Sequence, residues 1–147
     1  MPAVIDFIGR YDHTLDAKNR LTVPSKFRAQ LSQGVVIAQG VEQCGAIWLP
    51  ADYEEYVDRA LGGLNPMTSQ ARDLERYFSA NAFEAELDAA GRIMIPGKIM
   101  EWAGLQKDVV VTGVRACLEL WDREAWAARN SELTTNVPAL TEALGQA

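Results

Sequence analysis

Two aspartates in matching sequence contexts are the first residues that could do chemistry. Asp16 and Asp88 each lie four residues before an arginine, Arg20 and Arg92. Two carboxylates brought together by a twofold relation could share a proton, as in an aspartic-protease dyad. A short acid before an arginine can instead accept turn N–H groups and orient the guanidinium. Because the residues after Asp16 do not match the acid-protease signature, we predict that Asp16, Asp88 and Arg92 shape turns.

Basic side chains form the second candidate site. The chain has a net charge of −6, but residues 10–28 contain five basic and two acidic residues, a local charge of +3 against −9 for the rest. A positive region in an acidic protein can bind an anion, and contacts to nucleic-acid phosphates require Lys and Arg. The candidates within this region are Lys18, Arg20, Lys26 and Arg28. A solvated basic edge without a ligand is the alternative.

Other kinds of site have little support in the sequence. His13 is the only histidine, so a metal cluster of several histidines is excluded and a surface or strand-edge position is expected. Cys44 and Cys117 form neither a disulfide framework nor a CxxC metal motif, and we expect two buried apolar side chains. There is no Walker loop and no GxGxxG fingerprint. We therefore expect no cofactor, no metal and no enzymatic activity.

A repeat connects these residues. At an offset of 72, residues 15–27 align with residues 87–99, and six of the thirteen positions are identical. The alignment continues at an offset of 73 through Trp48 and Trp121. Arg20 and Lys26 have basic counterparts in the second copy, whereas the counterparts of Lys18 and Arg28 are alanine and methionine. The additional charge indicates that the first copy binds an anion.

Each copy predicts the same elements. A first strand leads into the Asp-x-x-x-Arg turn, in which Asn19 or Gly91 occupies the position that needs a positive φ. A second strand, a short helix and two further strands follow the turn. Helical periodicity then predicts connector helices starting at Pro50 and at Asn65–Pro66, and the chain from Ser131 is expected to fray.

One copy is too small to bury both faces of its sheet, so two copies should share one core about a pseudo-twofold axis. We predict a first unit at 10–55, a helical connector at 56–83, a second unit at 84–127 and a C-terminal tail at 128–147. The first six residues do not resemble a secretory signal, which predicts a cytoplasmic protein.

The motif at 9–28, repeated in part at 87–93, strongly resembles the bacterial MraZ family. This resemblance implies an α+β, mainly β fold of two SpoVT/AbrB-like swapped-hairpin units that form one pseudo-twofold barrel with connector helices. It also implies a ring-shaped homo-oligomer, such as an octamer, that is associated with the nucleoid. Two departures from the family pattern are Asn19, where glycine is usual, and a few extra residues before Phe7.

The resemblance further implies a transcriptional regulator of the division and cell-wall gene cluster that binds direct repeats in double-stranded DNA upstream of its own operon. Arg20 would be the main DNA contact, with Lys18 beside it and Lys26 and Arg28 on phosphates. Two alternatives remain at this point. One is an AbrB-like antitoxin or protein-interaction module, and the other is an acid hydrolase built on Asp16 and Asp88.

Overall fold

The computed structural model describes residues 7–145, so the extra residues before Phe7 and the last two residues of the predicted tail lie outside it. The strands are β1 (Arg10–Thr14), β2 (Arg20–Thr22), β3 (Val35–Gln39), β4 (Gly45–Trp48), β5 (Ala82–Ala85), β6 (Arg92–Met94), β7 (Asp108–Gly113) and β8 (Leu118–Asp122). The α-helices are α1 (Arg28–Leu31), α2 (Pro50–Leu61), α3 (Ser69–Ala80), α4 (Gly97–Ala103) and α5 (Arg123–Gly145), and a 3-10 turn (Ser25–Phe27) precedes α1. Within the described range, no helix combines the length and the apolar character that a membrane span requires.

The two copies exchange their first strands. Six strands form one antiparallel sheet in the order β1-β7-β8-β4-β3-β5, and β2 pairs with β6 in a separate two-stranded ribbon. β1 pairs with β7 of the second copy, and β5 pairs with β3 of the first. Replacing each strand by its counterpart reverses the strand order, which places a pseudo-twofold axis between β4 and β8. The predicted α+β fold of tandem swapped-hairpin units is confirmed.

One core serves both copies. Leu21 and Ile93, at the centre of the ribbon, are buried in the same apolar cluster as Phe27, Ile99 and Leu120. A smaller apolar cluster lies around Trp48 and is covered by aromatic side chains of α2. Because the main cluster draws on both copies, neither copy can keep its buried surface without the other.

The ribbon also joins the two Asp-x-x-x-Arg turns to each other. Asn19 has a φ of 57° and Gly91 a φ of 77°, as the turn positions predict. The carbonyl of Gly91 accepts a hydrogen bond from the N–H of Val23, and the carbonyl of Asn19 accepts one from Ile95, both at 2.9 Å. Each turn is therefore fixed by the strand of the opposite copy.

Gly91→Ala is expected to lower the free energy of unfolding by about 1–2 kcal/mol, because an L side chain is strained at this positive φ. A Cβ at Gly91 would also lie 2.6 Å from Nε of Arg28. Urea unfolding measures the loss. Asn19→Gly in the matching turn is the control and should change stability by less than about 0.5 kcal/mol. Equal stability of the Gly91→Ala variant and the parent chain would contradict this account.

The first connector helix agrees with the sequence prediction, but the second begins later than predicted. α2 starts at Pro50 and ends at Leu61, before the Gly62–Gly63 pair. The chain after Asn65 forms a turn in which the Asn65 side chain accepts the N–H of Met67 at 3.0 Å. Thr68 then caps α3 by accepting the N–H of Ala71 at 3.2 Å. The start predicted at Asn65–Pro66 was wrong because this side-chain bond favours a turn.

The end of the described chain is helical, so the prediction of a frayed segment from Ser131 was wrong. Asp122 caps α5 by accepting the N–H of Ala125 at 3.1 Å. Beyond Ser131, the hydroxyls of Thr134 and Thr135 donate to backbone carbonyls of the preceding turn and so leave the helix intact. The helix continues to Gly145 with Pro138 inside it.

Candidate nucleic-acid interface

The outer face of the β2–β6 ribbon carries the candidate site. Leu21 and Ile93 point into the core, so the alternate positions of both strands point outward. Arg20 and Arg92 occupy such outward positions at opposite ends of the ribbon, related by the pseudo-twofold axis. A short two-stranded ribbon with an arginine near each end therefore faces the surroundings.

The first arginine is held in place by its aspartate. One carboxylate oxygen of Asp16 accepts the backbone N–H groups of Lys18 and Arg20, each at 2.9 Å. The other oxygen accepts Nε of Arg20 at 2.6 Å. The hydrogen bond from the backbone N–H of Arg20 is the main reason that the pKa of Asp16 lies below its usual value. Nothing else in residues 7–145 bonds to the guanidinium of Arg20, so its terminal nitrogens can bind a ligand.

The second copy repeats this arrangement. Asp88 accepts the N–H groups of Ala90 and Arg92 and the Nε of Arg92, each at 2.9 Å. The pKa of Asp88 is also lowered, mainly by the backbone N–H of Arg92. A proton-sharing dyad requires one carboxyl with a raised pKa, whereas Asp16 and Asp88 are each stabilised in the ionised form by their own arginine. This geometry argues against the acid hydrolase.

Arg28 makes a contact that the sequence did not indicate. Its Nε donates to the carbonyl of Val23 at 2.9 Å, and its side chain lies against Gly91 in the turn of the second copy. Met100 occupies the equivalent position in the second copy and packs on the main apolar cluster. Arg28 therefore links α1 to the opposite turn, and only its terminal nitrogens remain to contact an anion.

Lys18 and Lys26 are exposed at the two ends of β2. Lys18 lies in the turn before the strand, and Lys26 lies in the 3-10 turn after it. The Nζ of Lys26 is 5.8 Å from the ring centre of Phe27. The candidate basic residues of the first copy thus belong to one continuous segment around a single strand.

Arg92, which was predicted only to shape its turn, is oriented by its aspartate in the same way as Arg20. Its side chain has the same carboxylate partner as Arg20 and is slightly more exposed, at 35% against 27%. The repeat contained a usable signal, since this arginine is present in both copies. The ribbon therefore presents two oriented guanidinium groups, with Lys18 in the turn of Arg20 and the Arg28 side chain against the turn of Arg92.

The remaining titratable candidates lie elsewhere. His13 is half-buried on the edge strand β1, and burial lowers its pKa. Cys44 and Cys117 are buried and unpaired, and burial raises the pKa of Cys117 to about 12 and that of Cys44 further. Both thiols therefore stay protonated at neutral pH and are poor nucleophiles and metal ligands.

Comparison with known proteins gives a consistent result. A family model described as "MraZ protein, putative antitoxin-like" matches residues 7–77 and again residues 78–143. The "Transcriptional regulator MraZ" of Lachnoclostridium phytofermentans is 40% identical over 124 residues, covering 84% of this chain and 86% of that protein. The proteins of the same name from Symbiobacterium thermophilum and Moorella thermoacetica are 37% and 38% identical. The alignments cover 94% and 92% of this chain and 99% and 94% of those proteins.

All three relatives are named as transcriptional regulators and not as enzymes. The two matches to the family model follow one another along the chain, as the internal repeat requires. The sequence repeat and the relatives, whose alignments cover most of both chains, lead to the same conclusion. The chain belongs to the MraZ family.

Proposed function

We propose that this chain is a sequence-specific DNA-binding transcriptional regulator. The observation that carries the proposal is the exposed β2–β6 ribbon with Arg20 oriented on its outer face by Asp16. A two-stranded β-ribbon fits the major groove of B-DNA, and arginine is the residue that most often reads guanine there, through two parallel hydrogen bonds. Arg20 supplies this contact, because its Nε is bound to Asp16 and its terminal nitrogens have no hydrogen-bond partner in residues 7–145.

The basic residues around Arg20 set the position of the ribbon on the duplex. Lys18 and Lys26 extend from the two ends of β2 and contact phosphates on either side of the groove. The terminal nitrogens of Arg28 add a third phosphate contact. The second turn has Ala90 at the position of Lys18, so Arg92 contributes less to binding.

Several such sites act together in a ring-shaped homo-oligomer, for example an octamer. Neighbouring subunits engage consecutive direct repeats in the DNA upstream of the operon for division and cell-wall genes. Linked binding events raise the effective concentration, so that individually weak sites give a stable complex. The regulator acts in the cytoplasm at the nucleoid. Within each subunit, a connector at 56–83 joins the first unit, at 10–55, to the second, at 84–127. The acidic remainder of the chain limits non-specific binding.

Lys26→Ala should reduce the salt dependence of DNA binding. With one phosphate contact fewer, binding releases fewer counterions from the DNA. The negative slope of the logarithm of the association constant against the logarithm of the salt concentration should become smaller in magnitude by about 0.9 for each bound subunit. Fluorescence anisotropy with a labelled duplex from upstream of the gene gives this slope. Lys98→Ala removes the same charge at the equivalent position of the second copy and should leave the slope unchanged. Equal decreases in both variants would assign binding to overall charge and contradict the proposed interface.

An antitoxin-like protein-binding function is the second candidate, because the matching family model is described as antitoxin-like. In this case a partner protein, and not DNA, would cover the ribbon. Purification of the tagged chain from its source cells would distinguish the two functions. A protein retained in fixed stoichiometry by the parent chain and lost in the Arg20→Ala variant would support the antitoxin-like function.

A further inference from the structure

Met94 is an exposed apolar side chain on the outer face of the β2–β6 ribbon. Its neighbour Ile93 is buried in the main cluster, so Met94 points away from the core, and its exposed fraction is 57%. Among the exposed large apolar residues of the described chain, it is the only one that lies in a strand. An apolar side chain therefore lies within the face that carries Arg20 and Arg92.

The register of the ribbon places Met94 beside Arg20. The two residues are partners across β2 and β6. One residue outside this pair, the N–H of Ile95 donates to the carbonyl of Asn19 at 2.9 Å. This pattern defines a non-hydrogen-bonded pair, in which the Cα atoms are about 4.5 Å apart and the side chains lie close together. Met94 is therefore the direct cross-strand neighbour of the arginine that is proposed to read guanine.

The repeat shows that the ribbon does not need methionine at this position. The counterpart of Met94 in the first copy is Thr22, which lies opposite Arg92 on the same outer face. The pseudo-twofold axis thus relates the Arg20–Met94 pair to the Arg92–Thr22 pair. Because the fold accepts threonine at the equivalent position, we attribute the exposed methionine to binding and not to folding.

The chemistry of the DNA bases indicates what such a side chain can bind. In the major groove, the C5-methyl group of thymine is the apolar feature of the base edges, which otherwise present hydrogen-bond donors and acceptors. A methionine side chain is flexible and polarisable, and its sulfur is only a weak hydrogen-bond acceptor. It is therefore suited to a methyl group and poorly suited to the polar groups of the other bases.

The spacing of the pair fits neighbouring bases. Successive bases of one DNA strand are about 3.4 Å apart, and directly opposed side chains of a ribbon are about 4.5–5.5 Å apart at Cβ. When Arg20 contacts a guanine, Met94 consequently reaches the next base pair. The other outward positions of the two strands are Thr22 and Arg92, which carry hydrogen-bonding groups. Met94 is thus the outward residue of the ribbon that best matches a methyl group.

We propose that Met94 reads the C5-methyl group of a thymine in the base pair next to the guanine that Arg20 contacts. The proposal rests on the proposed function, because it assigns a further base to the same ribbon. Arg20 supplies hydrogen bonds at one base pair, and Met94 supplies an apolar contact at the neighbouring one. Residues of both copies then read adjacent base pairs, which gives the pairing of β2 with β6 a role in recognition.

Replacement of thymine by uracil tests this contact, because uracil lacks only the C5-methyl group. Each thymine of the upstream duplex is replaced in turn, and fluorescence anisotropy gives the dissociation constants of the parent chain and of the Met94→Ser variant. In the parent chain, one replacement next to a guanine should weaken binding about fourfold, as expected for the burial of one methyl group. In the Met94→Ser variant, the same replacement should leave the dissociation constant unchanged.

Two further variants are controls. Met94→Leu keeps an apolar side chain of similar size and should retain the difference between thymine and uracil. Thr22→Ser removes a methyl group at the equivalent position of the first copy and should also retain the difference at the thymine assigned to Met94. Because Met94 is exposed, its substitutions should leave the midpoint of urea unfolding unchanged.

The outcomes separate this assignment from the proposed function. A parent chain that prefers the upstream duplex to a scrambled one but responds to no uracil replacement would overturn the role of Met94 alone. Equal responses of the parent chain and the Met94→Ser variant would also overturn it, because the methyl group would then act through another residue or through DNA shape. A parent chain without any preference for the upstream duplex would overturn the proposed function and this assignment together.

Discussion

Arg20→Ala is expected to abolish sequence-specific binding of the upstream DNA while leaving the fold unchanged. The side chain lies on the outer face of the ribbon and contributes only its bond to Asp16 within the described chain. Loss of a bidentate contact to guanine removes about 1–3 kcal/mol of discrimination at each site. Because neighbouring subunits are proposed to bind together, the losses of free energy add across the repeats, and the factors by which the affinity falls multiply. A mobility-shift assay with specific and scrambled duplexes measures the effect.

Arg92→Ala is the matched control, since Arg92 has the same aspartate contact in the second copy. We expect a smaller loss of affinity than in the Arg20→Ala variant, because the turn of Arg92 has Ala90 at the position that Lys18 occupies in the turn of Arg20. Arg20→Lys is a second control that keeps the charge and removes the planar guanidinium. It should lose specificity and retain the salt dependence. Unchanged binding in the Arg20→Ala variant would refute the assignment, and equal losses at Arg20 and Arg92 would refute the unequal roles of the two copies.

Much of the fold could be predicted from the sequence because the chain contains two copies of one unit, which can be compared with each other. The shared aspartate, arginine and proline positions define the same turn and strand twice. A unit that cannot bury its sheet alone must share a core with its copy, and the exchange of β1 and β5 follows this expectation. The positive φ at Asn19 and Gly91 was also predictable, because few residue types adopt it easily.

Contacts across the pseudo-twofold axis could not be predicted in the same way. The bond from Arg28 to Val23 joins neighbouring segments, but its packing against Gly91 depends on how the two copies meet. This contact gives a physical reason for glycine in the second turn, whereas Asn19 is accommodated in the first. Sequence periodicity does not contain this information, because it describes one element at a time.

The extent of the helices was the other feature that the sequence did not reveal. The segment after Ser131 is polar and contains Pro138, which favours an irregular end. Its apolar residues, Leu133, Val137, Leu140 and Leu144, nevertheless keep the three- and four-residue spacing of one helix face. The prediction of a frayed end gave more weight to the polar composition than to this spacing.

Phe27→Ala is expected to lower the free energy of unfolding by about 3–5 kcal/mol, the largest stability effect predicted for this chain. The Phe27 ring is buried in the main cluster, 5.4 Å from the ring of Phe7 and 5.5 Å from that of Tyr11. Its removal leaves a cavity in a close-packed core, and the loss is a large share of the roughly 5–15 kcal/mol typical of a folded domain. Urea unfolding at equilibrium measures it.

The same substitution separates stability from function, because Phe27 lies between Lys26 and Arg28 in the sequence. Its burial fixes the backbone of the 3-10 turn and the start of α1, to which both basic residues belong. Phe27→Leu keeps an apolar anchor, and we expect it to cost about 1–2 kcal/mol and to retain the salt dependence of DNA binding. A loss below about 1 kcal/mol in the Phe27→Ala variant would show that the core does not depend on this ring. Reduced salt dependence in a stably folded Phe27→Leu variant would show that the exact ring shape, and not burial alone, positions Lys26 and Arg28.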